Sequence, residues 1–302
     1  MENIKIDGYK NLPLNVYLYN NVKKPKASIL VIHGMQEHGA RYNDFATFLE
    51  SKGYVVLVSD LRGHGITARS ADELGRGESD DIFNEIIEDQ KILADYLKKN
   101  NKAPLYVFGH SFGSFITQRF IQVYPSVDKA IICGTTNGDS AIINLGKTLA
   151  SALVKFGKKD NRANLVQDMS LKSYGKGFED GNWLTRDSEV WEEYKRDSLC
   201  GNAFPLSFFH SMLSNLSHLN KHVDAVDKNK PILFICGEKD PVGGNAKHVK
   251  SLYDFYIKKG LNAHIKIYPE CRHELLNEIN KSEVYNDILN FYNNEHNNNL
   301  RM

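Results

Sequence analysis

Short apolar runs rich in β-branched residues recur along this chain, and longer stretches with helical spacing separate them. Clear examples are SILVIH at Ser28–His33, YVVLVS at Tyr54–Ser59 and ILFIC at Ile232–Cys236. These runs do not alternate apolar with polar residues, which is typical of strands buried on both faces. Strands that alternate with helices predict an α/β fold with a largely parallel sheet.

The same patterns predict the remaining elements. Further strands are expected at Leu14–Tyr19, Leu105–Phe108, Lys129–Cys133 and His264–Tyr268. Helices are expected at Tyr42–Lys52, Ile82–Lys99, Phe112–Tyr124, Ala246–Lys259 and Glu283–Tyr292.

Charge and cysteine usage exclude several classes of protein. The 302 residues carry 38 Lys and Arg against 37 Asp and Glu, so there is no electrostatic reason to expect nucleic acid as a partner. The four cysteines lie far apart without a CxxC pair, which favours buried free thiols over a zinc ribbon or a disulfide framework. No apolar run approaches the ~20 residues that span a bilayer, and the first ten residues do not resemble a signal peptide. We therefore expect a cytoplasmic protein.

A long connection interrupts the pattern between the strands Lys129–Cys133 and Ile232–Cys236. A crossover needs only about a dozen residues, so this connection holds an insertion. Two apolar stripes recur in it at helical spacing, namely Leu145, Leu149, Leu153 and Phe156, and then Phe208, Met212, Leu216 and Leu219. They form either a small core of the insertion or the underside of a lid over an apolar substrate, and the two interpretations are compatible.

The most informative segment is LYVFGHSFG at 105–113, where a buried strand leads through Gly-His-Ser-Phe-Gly directly into a helix. A nucleophile elbow requires this strand, turn and helix. Ser111 would sit in the strained turn, and Gly109 and Gly113 lack the β-carbons that would clash there. The helix that starts at Phe112 would direct its free N–H groups towards Ser111. The segment predicts that Ser111 is a nucleophile.

A serine hydroxyl is a weak nucleophile, so the site also needs a base and a group that orients the base. In this arrangement the chain order is Ser, acid and His, each following a strand. Asp240 follows the strand ILFIC and His273 follows HIKIYPE, so we predict Asp240 as the orienting acid and His273 as the general base. Glu238, Asp224 and Asp227 are rival acids, although the last two precede their strand.

The oxyanion of the tetrahedral intermediate needs two N–H donors. We predict the backbone N–H groups of Phe112 and of Met35, which lies in the loop after SILVIH. This loop reads HGMQEH, which suggests zinc, but it begins at a strand end and its spacing is one residue longer than His-x-x-Glu-His. We therefore expect no metal and no other cofactor. His110, beside Ser111, either lines the pocket or packs in the core.

Taken together, the motifs resemble α/β-hydrolases of the monoacylglycerol lipase and lysophospholipase type, which are related to serine aminopeptidase-like hydrolases. The resemblance rests on HGMQEHGARY, SDLRGHG, GHSFG, GEKDPVGG and the loop around His273, and the stretch from WLTRD to DSLCG is similar to bacterial members. It implies a mostly parallel eight-stranded sheet, with helices on both faces, formed by residues 1–134 and 223–302. It also implies that residues 135–222, which we call the insertion, form a helical cap after the sixth strand.

The resemblance also suggests a substrate. Glu37 and Arg41 match the residues with which monoacylglycerol lipases handle the glycerol head group, whereas Gln36 replaces their usual Gly. We expect a serine carboxylester hydrolase that cleaves a monoacylglycerol to fatty acid and glycerol, with a lysophospholipid as the alternative. Its expected partners are this small acyl ester and, transiently, a membrane surface that the cap contacts.

Two other kinds of function remain open. An aminopeptidase-like amide hydrolase would use the same triad, but it needs acidic residues to hold an α-amino group. Glu189, Glu192 and Glu193 in the insertion are the candidates. A non-catalytic binding module on the same scaffold would not need a complete triad. A haloalkane or epoxide hydrolase would need Asp where this chain has Ser111, so both are excluded.

Overall fold

The computed structural model of the protein describes residues 1–139, 141–163 and 173–293. Eight strands in this part of the chain form one sheet in the order β1-β2-β4-β3-β5-β6-β7-β8. Their bounds are β1 Glu2–Asp7, β2 Pro13–Tyr19, β3 Ser28–Ile32, β4 Val55–Ser59, β5 Leu105–His110, β6 Lys129–Cys133, β7 Ile232–Gly237 and β8 Ala263–Tyr268. Strand β2 is antiparallel to β1 and β4, and the remaining neighbours are parallel. The α/β fold class with a mostly parallel eight-stranded sheet is confirmed.

Strand β1 is the element that the sequence pattern does not predict. Its sequence ENIKID is polar or charged at four of six positions, and the strand lies at the edge of the sheet. Ile4 and Ile6 are half-buried and pack against the core, and Ile4 pairs with Val16 of β2. A half-exposed edge strand has little apolar signal of its own, so its pairing with β2 decides its conformation.

Helices cover both faces of the sheet. Their bounds are α1 Asn43–Ser51, α2 Ile82–Asn100, α3 Phe112–Val123, α4 Ala141–Leu153, α5 Ser188–Arg196, α6 Leu206–Leu216, α7 Lys247–Lys258 and α8 Lys281–Tyr292. One apolar layer joins α1 and α8 to the sheet, and the other joins α2, α3 and α7 to its opposite face. The helices and strands predicted from the sequence agree with these bounds to within two residues.

The central strand β3 explains why the apolar runs do not alternate. Ile29 and Val31 belong to one apolar layer, and Leu30 and Ile32 belong to the other. All four are fully buried, because successive side chains of a strand point to opposite faces. Both faces of the sheet are therefore core.

The insertion lies between β6 and β7 and contains α4, α5 and α6. Residue 140 and residues 164–172 of the insertion lie outside the described residues. In its second apolar stripe, Phe208, Leu216 and Leu219 are buried and Met212 is half-buried against the core. The prediction that this stripe packs inward is confirmed.

The inward packing predicted for the first stripe is wrong for three of its four residues, while Leu153 is half-buried against the core. Leu145, Leu149 and Phe156 are 72%, 42% and 80% exposed. Helix α4 instead contacts α6 through small residues: Ala150 is buried, and Gly146 lies so near Leu213 that an added β-carbon would be 3.4 Å from its Cδ1. Small residues allow this close approach of the two helices, which turns the large apolar side chains to the surface.

Two further expectations concern cysteines and membrane spans. Cys133, Cys200, Cys236 and Cys271 are all buried free thiols, as predicted. Within the described residues, no helix combines the length and the apolar character needed to cross a bilayer.

Candidate active site

Ser111 occupies a strained turn between β5 and α3. Its backbone has φ 53° and ψ −119°, a left-handed conformation that costs a non-glycine residue about 1–3 kcal/mol. The Ser111 N–H donates to the carbonyl of Cys133 at 2.9 Å, which anchors the turn to β6. The turn thus has the geometry that a nucleophile elbow requires.

Gly109 and Gly113, on either side of the turn at Ser111, lie so close to neighbouring backbone atoms that a side chain would not fit. A β-carbon on Gly113 would overlap the carbonyl oxygen of Ile32, and one on Gly109 would overlap the carbonyl oxygen of Gly113. The first turn of α3 therefore passes directly over the end of β3. This packing brings the turn at Ser111 next to the loop that follows β3.

Asp240 and His273 follow β7 and β8, and their side chains meet. His273 Nδ1 lies 2.9 Å from Asp240 Oδ1, and both side chains are buried. The same carboxylate oxygen accepts the N–H of Val242 at 2.9 Å, which fixes the carboxylate against its own loop. An ionised carboxylate can only accept, so the Nδ1 atom of His273 carries the proton and Nε2 is the basic nitrogen.

The Nε2 atom of His273 is free to act as a base. It is buried and has no hydrogen-bond partner among the described residues. His273 and Ser111 line the same small cavity, which has a volume of about 40 Å³. The rings of His110 and Trp183 lie 4.8 and 5.1 Å from the imidazole of His273, centre to centre. Both rings pack against the imidazole.

The rival acids are engaged elsewhere. Asp224 forms an ion pair with Lys259 at 2.8 Å, and Asp227 accepts the N–H of Asn229. Glu238 accepts the N–H of Glu270 at 3.2 Å. The hydrogen bond between Asp240 and His273 therefore distinguishes Asp240 from these three.

The two predicted oxyanion donors lie on either side of the serine. Phe112 is the first residue of α3, and Met35 lines the cavity with Ser111. Neither amide N–H donates a hydrogen bond within the described part of the chain. Two free amides beside the serine are what an oxyanion hole needs.

Glu37 and Arg41 form a buried network with Glu274, which the sequence does not predict. The Arg41 guanidinium donates to the carboxylate of Glu37 at 2.6 Å. Two of its nitrogens donate to the carboxylate of Glu274 at 2.8 and 2.7 Å. The other oxygen of Glu37 accepts the N–H of Gly34 at 2.6 Å and the hydroxyl of Tyr42 at 2.8 Å. Glu37 thus holds the turn that carries Met35, in addition to lining the cavity.

The network determines the charges at the cavity wall. Burial acts to raise the pKa of Glu37 and of Glu274, but Arg41 and His110, through their charges and hydrogen bonds together, outweigh it and hold both pKa values below their ordinary range. Burial acts to lower the pKa of His110, but the hydrogen bond and charge of Glu37 outweigh it, so the pKa of His110 is raised. His110 lines the cavity, which was one of its two predicted positions. The cavity wall therefore carries the ionised carboxylates of Glu37 and Glu274 at neutral pH, next to apolar residues such as Met35 and Leu184.

The insertion supplies part of the cavity wall. The carbonyls of Trp183 and Leu184 accept the N–H groups of His273 and Glu274 at 3.4 and 2.7 Å. No sequence signal could have joined these segments, which lie far apart along the chain. Glu274 had a usable signal, since it directly follows the predicted base and Arg41 needed a second acidic partner.

The acidic residues considered for an α-amino group lie elsewhere. Glu189, Glu192 and Glu193 are exposed on α5, and none of them lines the cavity. Glu192 forms an ion pair with Lys195. The two acids that do line the cavity, Glu37 and Glu274, are both paired with Arg41.

Comparisons with known proteins agree with this geometry. The chain is 25% identical over 269 residues to the monoacylglycerol lipase of Mycolicibacterium smegmatis, covering 87% of each chain. It is 25% identical over 266 residues to an abhydrolase domain-containing protein of Dictyostelium discoideum, of which it spans only 26%. The crystal structure of a thermostable carboxyl esterase from Bacillus coagulans in complex with glycerol has a TM-score of 0.88 and 21% identity, covering 97% of this chain and 98% of that one.

The family model described as serine aminopeptidase, S33, matches residues 23–280. The match includes the loop after β3, the elbow at Ser111 and the loops that carry Asp240 and His273. The resemblance inferred from the motifs is confirmed, and the chain belongs to the serine aminopeptidase S33 family of α/β-hydrolases.

Proposed function

We propose that this serine hydrolase cleaves the ester bond of a monoacylglycerol, giving a fatty acid and glycerol through an acyl-enzyme on Ser111. The observation that carries the proposal is the buried pair of His273 and Asp240, whose free Nε2 shares a cavity with Ser111.

In the proposed mechanism, the Oγ atom of Ser111 attacks the ester carbonyl while Nε2 of His273 takes its proton. Asp240 fixes the imidazole tautomer and stabilises the imidazolium. The N–H groups of Met35 and Phe112 bind the oxyanion, and the imidazolium then protonates the leaving glycerol oxygen. Water activated by the same imidazole hydrolyses the acyl-enzyme.

The head-group assignment rests on the polar residues in the cavity wall. Glu37 and His110 line the cavity, and Arg41 adjoins them through its ion pair with Glu37. Hydroxyl groups of a polyol can both donate to and accept from such groups. The glycerol bound to the Bacillus coagulans esterase and the activity named for the Mycolicibacterium smegmatis lipase support the same choice. We therefore retain Glu37, Arg41 and His110 as the proposed head-group contacts.

We also propose that the insertion, residues 135–222, is a cap on a core formed by residues 1–134 and 223–302. A cavity of about 40 Å³ is far smaller than the roughly 300–1,000 Å³ of a ligand pocket. Trp183, Leu184 and Tyr194 of the insertion close the cavity, so an acyl ester can enter only when they move away.

The surface of the insertion supports transient contact with lipid. Leu145, Leu149 and Phe156 expose apolar side chains on α4 and just beyond it. Binding to phosphatidylcholine vesicles, measured by flotation, should fall when Leu145 and Phe156 are replaced with Ser. We propose a cytoplasmic location because all four cysteines are buried free thiols, which suits a reducing compartment.

A substrate panel tests the proposed function. The purified protein is given monoacylglycerols of several chain lengths, lysophosphatidylcholine, p-nitrophenyl esters and aminoacyl amides, with Ser111→Ala as the control. We expect the highest kcat/KM on a long-chain monoacylglycerol and no turnover by Ser111→Ala. A preference for lysophosphatidylcholine or for aminoacyl amides would refute the assigned head group while leaving the triad in place.

A further inference from the structure

Three potential metal ligands converge where the insertion meets the loop after β3. They are His38 from that loop and Asp197 and Cys200 from the segment that follows α5. Their ligand atoms all lie within 4.8 Å of one another. His38 Nε2 lies 2.7 Å from Asp197 Oδ2, although the two residues are 159 positions apart in the chain. Asp197 and Cys200 are additionally fixed to each other by the Cys200 N–H, which donates to the Asp197 carbonyl at 3.0 Å.

The cluster is buried on one side and open on the other. Cys200 is a buried free thiol, and the side chain of His38 is only 9% exposed. The Nδ1 atom of His38 is buried without a hydrogen-bond partner among the described residues, whereas the Nε2–H group donates to the carboxylate of Asp197. Asp197 is about one-third exposed and provides a path to solvent.

The electrostatic surroundings favour a cation. Arg41 is the strongest charge acting on Cys200, and the carboxylates of Asp197, Glu37 and Glu274 act against it. Arg41 is itself paired with Glu37 and Glu274. A thiol, an imidazole and a carboxylate in a field with more negative than positive charge match the ligand preferences of Zn²⁺.

We propose that His38, Asp197 and Cys200 form a zinc-binding site that joins the insertion to the loop after β3. Zinc takes one sulfur, one nitrogen and one oxygen ligand here, and water fills the fourth tetrahedral position. On binding, a Zn–S bond forms and the thiol proton of Cys200 passes to solvent. The hydrogen bond between His38 and Asp197 is replaced by two bonds to the metal, and the imidazole proton moves from Nε2 to the unpartnered Nδ1 atom.

The position of the site gives zinc a role in turnover, which rests on the proposed function. The same segment of the insertion already holds the loop through Gly201, whose N–H donates to the Gln36 carbonyl at 2.9 Å. Tyr194, which closes the cavity, donates its hydroxyl to the same carbonyl at 3.3 Å. Zinc bound to His38 on one side and to Asp197 and Cys200 on the other holds the insertion closed. Bound zinc therefore inhibits the enzyme by opposing substrate entry.

Metal binding is tested without reference to activity. The intact protein, freed of metal with a chelator, is titrated with Co²⁺ as a spectroscopic probe and with Zn²⁺ by calorimetry. We expect a thiolate-to-cobalt charge-transfer band and a 1:1 zinc isotherm. Cys200→Ser should abolish the band, and Asp197→Asn should weaken zinc binding by more than about 10-fold. Cys271→Ser removes another buried thiol outside the cluster and should change neither signal.

These outcomes separate the two parts of the proposal. The site is refuted if wild type gives no thiolate–cobalt band, or if Asp197→Asn binds zinc as tightly as Cys271→Ser does. Asp197→Asn keeps the shape of a half-exposed side chain, so it tests the site even if Cys200→Ser does not fold. Inhibition by equimolar zinc should be present in wild type and lost in Asp197→Asn. Zinc binding at the site without loss of turnover would refute the closing role. If the protein hydrolysed none of the substrates in the panel, that result would instead count against the proposed function.

Discussion

Replacing Arg41 with Met tests the buried charge network beside the active site. The substitution keeps a long side chain but removes the single cation that binds both Glu37 and Glu274. All three side chains are nearly inaccessible, so water cannot replace the lost guanidinium. Two carboxylates then face each other in the protein interior without the guanidinium, and His110 offsets only part of their charge.

The structure sets the expected size of the effect. Removing one partner of a buried ion pair leaves an uncompensated charge and costs about 3–5 kcal/mol. Arg41 donates three hydrogen bonds to the two carboxylates, so we expect Arg41→Met to lie within this range at pH 7. Arg69→Met is the matched control, because Arg69 also pairs with a Glu four positions away, Glu73, but at the exposed surface. The control should cause little measurable change, since exposed pairs contribute little to stability.

The assay is the free energy of unfolding in urea, measured as a function of pH. In wild type, the lowered pKa values of Glu37 and Glu274 contribute stability above the unfolded value of about 4.5, and this is lost as pH falls through the folded values. Without Arg41, burial raises the pKa values of both carboxylates. Their protonation as pH falls then removes the buried charges and raises the free energy of unfolding of Arg41→Met. The difference between wild type and Arg41→Met should therefore shrink from pH 7 towards pH 4. A loss no larger than that of Arg69→Met, or a difference that grows at low pH, would refute the reasoning.

Three further predictions follow from single contacts. Asp240→Asn should lower kcat by about 10⁴-fold through the wrong imidazole tautomer, with an unchanged melting temperature; activity within 10-fold of wild type would contradict it. Gly113→Ala should lose folding or activity because the added β-carbon overlaps the backbone of β3. Gly146→Ala on α4 should fold and gain up to about 1 kcal/mol in the free energy of unfolding. Equal melting temperatures of the two variants would contradict this. Burial and the nearby charge of His33 lower the pKa of His64 to about 3, so stability should fall as pH drops from 6.5 towards 3. His64→Phe should reduce that slope in acid unfolding, and an unchanged slope would count against it.

The buried strands and the amphipathic helices could be predicted from the sequence because each carries its own apolar pattern. Residues Ile29–Ile32 within the run SILVIH include no polar position that could face water, so they fit a strand that is covered on both faces. Edge strand β1 has no such constraint and becomes a strand by pairing with β2. For α4 the apolar spacing correctly predicts a helix, but it predicts the wrong buried face. Leu145 and Leu149 are exposed, and Gly146 and Ala150 face the neighbouring helix instead.

In the candidate site, too, some residues could be predicted from local patterns and others could not. The elbow at Ser111 is encoded in one continuous segment, and the loops of Asp240 and His273 follow recognisable strands. The ion pairs of Arg41 with Glu274, and of His38 with Asp197, join distant segments and depend on how the loops pack. No local pattern specifies such pairs, so the network around Arg41 and the proposed zinc site could be found only from the three-dimensional structure.

Covalent labelling tests the role of Ser111 most directly. The protein is incubated with a fluorophosphonate, which reacts with activated serine hydroxyls, and its intact mass and labelled peptides are measured. The account predicts one adduct per chain, located at Ser111, with no adduct in Ser111→Ala and loss of ester turnover in parallel with labelling. An unreactive wild type, or an adduct and turnover that persist in Ser111→Ala, would contradict it.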